Sequence, residues 1–169
     1  MERWQTRIRQ GNFYFQHSCW KQAEHYYREA ASILEEEWFR DLDNAQFMMA
    51  WIACMHNLGT LFEKLEEPQK ASPFFVLPYR RVVTLLQEGG LSQEFHFPLM
   101  RAVRSTVLPL LEFSNRHSVC DCCRKHLDIA REWLAVSMGS SRQSCSVSRL
   151  SGSVASGQVV PFPQARVLH

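Results

Sequence analysis

Gly11-Asn12-Phe13-Tyr14, followed by Ala23, Tyr27 and Ala30, forms a spaced pattern that returns as Asn57-Leu58-Gly59 and Phe62, followed by Ala71 and Phe75. Glycine to alanine is twelve residues both times, and alanine to aromatic is four both times. An internal repeat of this kind constrains the fold more than any single residue does. Two antiparallel helices pack closely only where one offers a small residue to the other's bulk. Gly11 and Gly59 supply that approach on a first helix, Ala23 and Ala71 on a second. Tyr14, Phe62, Tyr27 and Phe75 are then expected to fill the space between. Such a hairpin cannot bury its apolar face alone and must stack on neighbours.

The stretch Met55-His56-Asn57-Leu58-Gly59-Thr60-Leu61-Phe62-Glu63-Lys64-Leu65, with Ala71 and Phe75, resembles a tetratricopeptide repeat. So does Gln10-Gly11-Asn12-Phe13-Tyr14 with Trp20, Ala23, Tyr27 and Ala30. The family's period is about 34 residues, whereas the two glycines lie 48 apart, which calls for longer helices or connections. Pro78 stands where the family has a small residue, and Pro73 falls inside the second helix. A third unit is outlined by Cys123, Leu127 and Ala130, with Leu111 in place of glycine and Phe113 one residue out of register. The resemblance covers residues 4–31 and 51–76, is weaker over 98–136 and ends there. It implies an all-α fold of antiparallel helix hairpins stacked as a short, TPR-like right-handed superhelix over residues 1–137.

Periodicity and helix breakers set the expected elements. A first helix runs from about Arg3 to Gln16. Ser18 is a candidate cap for a second, from about Cys19 to Phe39, with an acidic solvent face. Asp41 or Asp43 is expected to cap a third, from about Asn44 to Leu65, where Phe47, Trp51, Met55, Leu58 and Phe62 recur at helical spacing. Pro68 suits the first turn of a fourth, which Pro73 and Pro78 should kink or split, with a helix resuming over Tyr79–Gln87. Gly89-Gly90 ends it. Ser92 to about Asn115 is the fifth, with Pro109 inside, and Val119 to Val136 the sixth. The five tryptophans, Trp4, Trp20, Trp38, Trp51 and Trp133, are read as core or inter-helix residues.

With 46% apolar residues among 169, the chain has enough material for one sizeable core. A net charge of +2 gives no ground for bulk nucleic-acid affinity. Apolar runs are short and broken by charge, so no membrane span is expected. The start Met-Glu-Arg-Trp-Gln-Thr-Arg lacks the apolar centre of a signal peptide. These features point to the cytoplasm, where six cysteines are expected as reduced thiols. From Ser137 on, serines and glycines replace the helical stripe and acids vanish, so residues 138–169 read as a flexible tail.

Candidate chemistry is sparse. His117, Cys120, Cys122, Cys123 and His126 are the densest constellation. Cys122 and His126 share a helical face, and thiolates and imidazoles suit zinc. A second Cys/His pair is missing, however, and cysteine also serves as a small packing residue. A metal- or redox-responsive regulator built on Cys120, Cys122, Cys123 and His126, its thiols activated by Arg124 and Lys125, is the alternative function. No hydrolase signature, phosphate loop or dinucleotide fingerprint is present, so neither an enzyme nor a cofactor is expected. Glu94 and His96 read as a solvated pair.

In tetratricopeptide repeats the first helix of each unit lines a concave wall. The resemblance therefore implies a groove of Gln5, Ile8, Asn12, Phe15 and Gln16 from the first unit. The second unit adds His56, Asn57, Thr60, Glu63 and Lys64. Asn12 and Asn57 match positions where related domains hold a peptide backbone or terminal carboxylate. Ile8 stands where such clamps carry a base, and Arg101 and Arg104 are candidates to supply the charge instead. The expected function is protein–protein interaction, as an adaptor or chaperone-like scaffold binding a peptide or partner helix. A second copy of the chain is one way to cover the open end of so short a stack.

Overall fold

The computed structural model describes residues 2–118, 124–125, 127–132 and 135. The chain divides into two units, Met1–Val119 and Cys120–His169. The first is built from α1 (Arg3–Gln16), α2 (Trp20–Arg40), α3 (Ala45–Lys64), α4 (Pro68–Glu88), a single 3-10 turn at Gln93–Phe95, and α5 (His96–Arg116). In the second, Arg124–Lys125, Leu127–Glu132 and Ala135 are helical, and Leu127 and Ala130 are buried. The described residues form no strand.

Helices α1 and α2 make one hairpin, α3 and α4 a second, and the two are built alike. The Tyr27 ring packs closely against Gly11, and the Phe75 ring against Gly59 in the same way. The ring pair Tyr14–Tyr26 stacks at 5.4 Å between centroids and 7°, and Phe62–Phe74 at 5.5 Å and 7°. Each residue of the second set lies 48 positions after its counterpart. The hairpin turns match as well. The Cys19 amide donates to the Tyr14 carbonyl (2.9 Å) and the Ser18 amide to Phe15 (3.0 Å). Glu67 and Glu66 repeat this on Phe62 (2.9 Å) and Glu63 (3.0 Å). Both turns are Schellman closures, and both place a non-glycine residue, Ser18 or Glu66, at φ 58°.

This turn corrects the expected role of Ser18. It closes α1 and does not cap α2, whose N-cap is Cys19, without a side-chain bond. At α3 the cap is Asn44, whose Oδ1 accepts from the amides of Gln46 (3.1 Å) and Phe47 (3.2 Å). Asp41 instead accepts from Asn44 Nδ2, and Asp43 accepts from the Ser92 amide at 3.2 Å. The carboxylates one and three residues upstream thus brace the loop, and the residue adjoining the helix does the capping.

Pro73 and Pro78 do not split α4. Each denies a hydrogen bond to a carbonyl one turn earlier, at Gln69 and Phe74. The helix persists because Ala71, Phe75, Val76, Pro78, Tyr79 and Val82 are buried along it. Packing outweighs the lost bonds. Gly89 (φ 68°) and Gly90 (φ 82°) end it as expected.

The odd- and even-numbered helices form two layers. Across the even layer, Arg28 of α2 lies over Phe74 of α4 at 5.4 Å. Arg81 of α4 pairs with Glu35 of α2 at 2.7 Å and covers Trp38 at 4.4 Å. Across the odd layer, Arg116 of α5 makes three hydrogen bonds to the Glu63 carboxylate of α3, from Nε at 3.1 Å and from Nη2 at 3.0 and 3.1 Å. The core between the layers holds Leu34, Trp38, Met48, Ile52, Leu58, Leu61, Tyr79, Val82, Leu110 and Phe113, all almost fully buried. Of the tryptophans, Trp4, Trp38 and Trp51 are buried and Trp20 is half-buried, whereas the Trp133 side chain lies outside the described residues.

Candidate functional site

Where α1 and α3 run side by side, a cavity of about 180 Å³ opens between them. It is lined by Asn12, Phe15, Gln16, Tyr27, Asn57 and Thr60. The helical repeat explains its composition. Asn12 and Thr60 each follow a hairpin glycine by one residue, so they occupy matching places on the first helix of each hairpin. Pockets for whole small molecules run to about 300–1,000 Å³. This one fits a single side chain or a short piece of backbone.

Tyr27 sets the pocket's polarity. Burial, and secondarily the nearby Cys54, push its phenol up to about 12, so it keeps its proton. The hydroxyl therefore donates, and it donates to Asn12 Oδ1 at 2.8 Å. With its oxygen held, Asn12 presents its amide hydrogens outward. The side chains of Gln16, Asn57 and Thr60 make no hydrogen bond among the described residues. Three amides and a hydroxyl thus face the pocket with capacity to spare, beside the ring of Phe15.

Of the residues expected in a groove, the structure brings Asn12, Phe15, Gln16, Asn57 and Thr60 together. Ile8, His56 and Lys64 are not in the lining. Ile8 is half-buried and Lys64 is exposed one turn beyond Thr60. His56 stacks on Phe75 (5.8 Å, 27°), with Nε2 buried and without a hydrogen-bond partner among the described residues, and desolvation lowers its imidazole to about 4. Glu63 faces α5, bound by Arg116 and, at 2.9 Å, by His117 Nε2. Gln5 accepts from the Glu2 amide at the start of α1. Tyr27 is the lining residue that the pattern did not assign to a site. It reads as core by spacing, and its one distinguishing signal is a hydroxyl where the second unit has Phe75.

A family model described as "Protein of unknown function (DUF2753)" matches residues 2–141. The chain belongs to this family. No curated protein and no solved structure matches it.

Elsewhere in this DUF2753 chain a depression on α4 is lined by Leu77, Arg80, Arg81, Thr84, Leu85 and Glu88. All six belong to one helix, so it lacks a second wall. Cys120, Cys122, Cys123 and His126 lie outside the described residues. Among the described residues no three Cys, His, Asp or Glu side chains are grouped to hold a metal. Cys19 and Cys54 are free thiols, and burial pushes Cys54 up to about 12. No helix of the described residues is long and apolar enough to cross a membrane.

Proposed function

We propose that this DUF2753 chain is a protein-interaction module, an adaptor or chaperone-like scaffold of the cytoplasm. It takes a peptide or partner helix along the exposed face of α1 and α3, much as tetratricopeptide domains use their first helices. The observation that carries this reading is the α1–α3 pocket. It is neutral, sized for one side chain, and rimmed by the amides of Gln16 and Asn57, which make no hydrogen bond among the described residues, and by the outward amide hydrogens of Asn12. Amides of that kind suit an incoming backbone, which carries both donors and acceptors.

The test is co-purification with quantitative comparison of variants. Asn57→Ala is expected to reduce capture of a specific partner by a few-fold to about tenfold, the worth of one neutral hydrogen bond. Its melting temperature should stay at the parent value. Glu36→Ala, on the exposed side of α2, should leave capture unchanged. Equal capture by all three proteins would remove the pocket from the function.

A further inference from the structure

We propose that the odd-helix face takes an internal, extended peptide segment with acidic side chains flanking one uncharged anchor residue. The inference rests on the interaction-module reading and adds the chemistry of the partner.

Charge is divided unevenly between the two layers. Helices α1, α3 and α5 carry Arg or Lys at seven positions and an acid only at Glu63 and Glu112. Glu63 is already paired with Arg116 and hydrogen-bonded to His117. Arg9, Lys64, Arg101 and Arg104 are exposed and make no ion pair among the described residues. Their positions relative to the pocket are informative. Arg9 sits one turn before Asn12, and Lys64 one turn after Thr60. Arg101 and Arg104 lie on the face of α5 opposite its buried positions Leu99, Ala102, Val103 and Thr106. The pocket itself holds no charge. A neutral cavity flanked by unpaired cations suits an uncharged residue between acidic ones. A terminal carboxylate would find no cation inside the cavity, so a free chain end is not required.

Two other occupants fit less well. In a second copy, four of the five α2 acids, Glu24, Glu29, Glu35 and Glu37, are paired already, with Arg28, Arg7, Arg81 and Arg40, which leaves Glu36 alone on that helix to meet four cations. A nucleic acid is held by dense rows of cations and by rings for stacking. Here the four cations are spread over three helices, with at most two on any one of them.

The experiment is selection from a displayed library of random peptides, each embedded within a carrier so that it has no free end, with the full chain as bait. Peptides with acidic residues around an uncharged anchor should be enriched. A selected peptide, made synthetically with both ends blocked, should bind the Arg101→Gln/Arg104→Gln protein several-fold to about tenfold more weakly than the parent. That difference should shrink as salt rises. Because both arginines are exposed and unpaired, the variant should melt with the parent. Enrichment of neutral or basic peptides that still depend on Asn57 would overturn the acidic partner and leave the interaction module standing. Enrichment of no peptide would count against both. Stronger competition by a single-stranded oligonucleotide of equal charge, or loss of binding on self-association of the protein, would assign the face to those occupants instead.

Discussion

At Gly59 an added methyl group would meet the Phe75 ring at 2.6 Å, and that ring is boxed in by His56 and Phe113. Gly59→Ala is therefore expected to cost about 1–3 kcal/mol through overpacking, read from the urea midpoint. Phe75→Leu in the same chain should recover part of it. Glu66 shows the opposite case. Its φ of 58° strains an L side chain by about 1–2 kcal/mol, and glycine would return about 0.5–1 kcal/mol of that as lost chain entropy. Glu66→Gly should stabilise modestly, and a lower urea midpoint would contradict this account of the turn. His56 gives the molecule an acid sensitivity. Its folded pKa, about 4, lies below the ordinary 6.5, so the unfolded chain takes up the proton first as pH falls. Stability is fully present above about pH 6.5 and is lost between there and about pH 4. His56→Phe, which keeps the stack on Phe75, should flatten that part of the profile, and an unchanged slope would assign it elsewhere. The glycine–aromatic pairs were legible in the sequence because a small residue at fixed spacing from a large one has a direct packing meaning. The left-handed turn was not, because serine and glutamate do not announce a positive φ.

At the scale of elements, helix identity was legible from hydrophobic period, and the ends were not. Asp41, Asp43 and Asn44 are all good caps by chemistry, and only the backbone course selects Asn44. The prolines of α4 misled for a related reason. Local rules price the lost hydrogen bonds but not the apolar face that holds the helix against α3 and α5. The tie between α3 and α5 was also invisible, since Glu63 and Arg116 are 53 residues apart. Glu63 is largely buried, with 15% side-chain exposure, and accepts from both Arg116 and His117. Glu63→Gln should thus cost about 1–2 kcal/mol. Amide exchange should quicken at the end of α5 and stay unchanged in α1 and α2. Uniform acceleration across all helices would mean that the contact is no local clamp.

Over the first unit as a whole, two copies of one hairpin build two layers with different tasks. In the even layer Glu35 pairs with Arg81 from α2 to α4, and Arg81 covers Trp38. The odd layer leaves amides and cations unengaged, and the proposed binding face lies there. Five of the groove residues expected from the repeat do meet around one cavity, because first helices of like hairpins come side by side. His56 and Glu63 went elsewhere because a neighbouring ring and a neighbouring helix claimed them, which no local pattern records. The most direct test is titration of the isotope-labelled chain with a selected acidic peptide or a co-purified partner, followed by amide and side-chain NMR shifts. The expected result is perturbation centred on the side-chain amides of Asn12, Gln16 and Asn57 and on the Thr60 region, with Glu36 and its neighbours on α2 unmoved. Perturbation confined to α2 and α4, with the Asn12 and Asn57 signals unmoved at saturation, would contradict it.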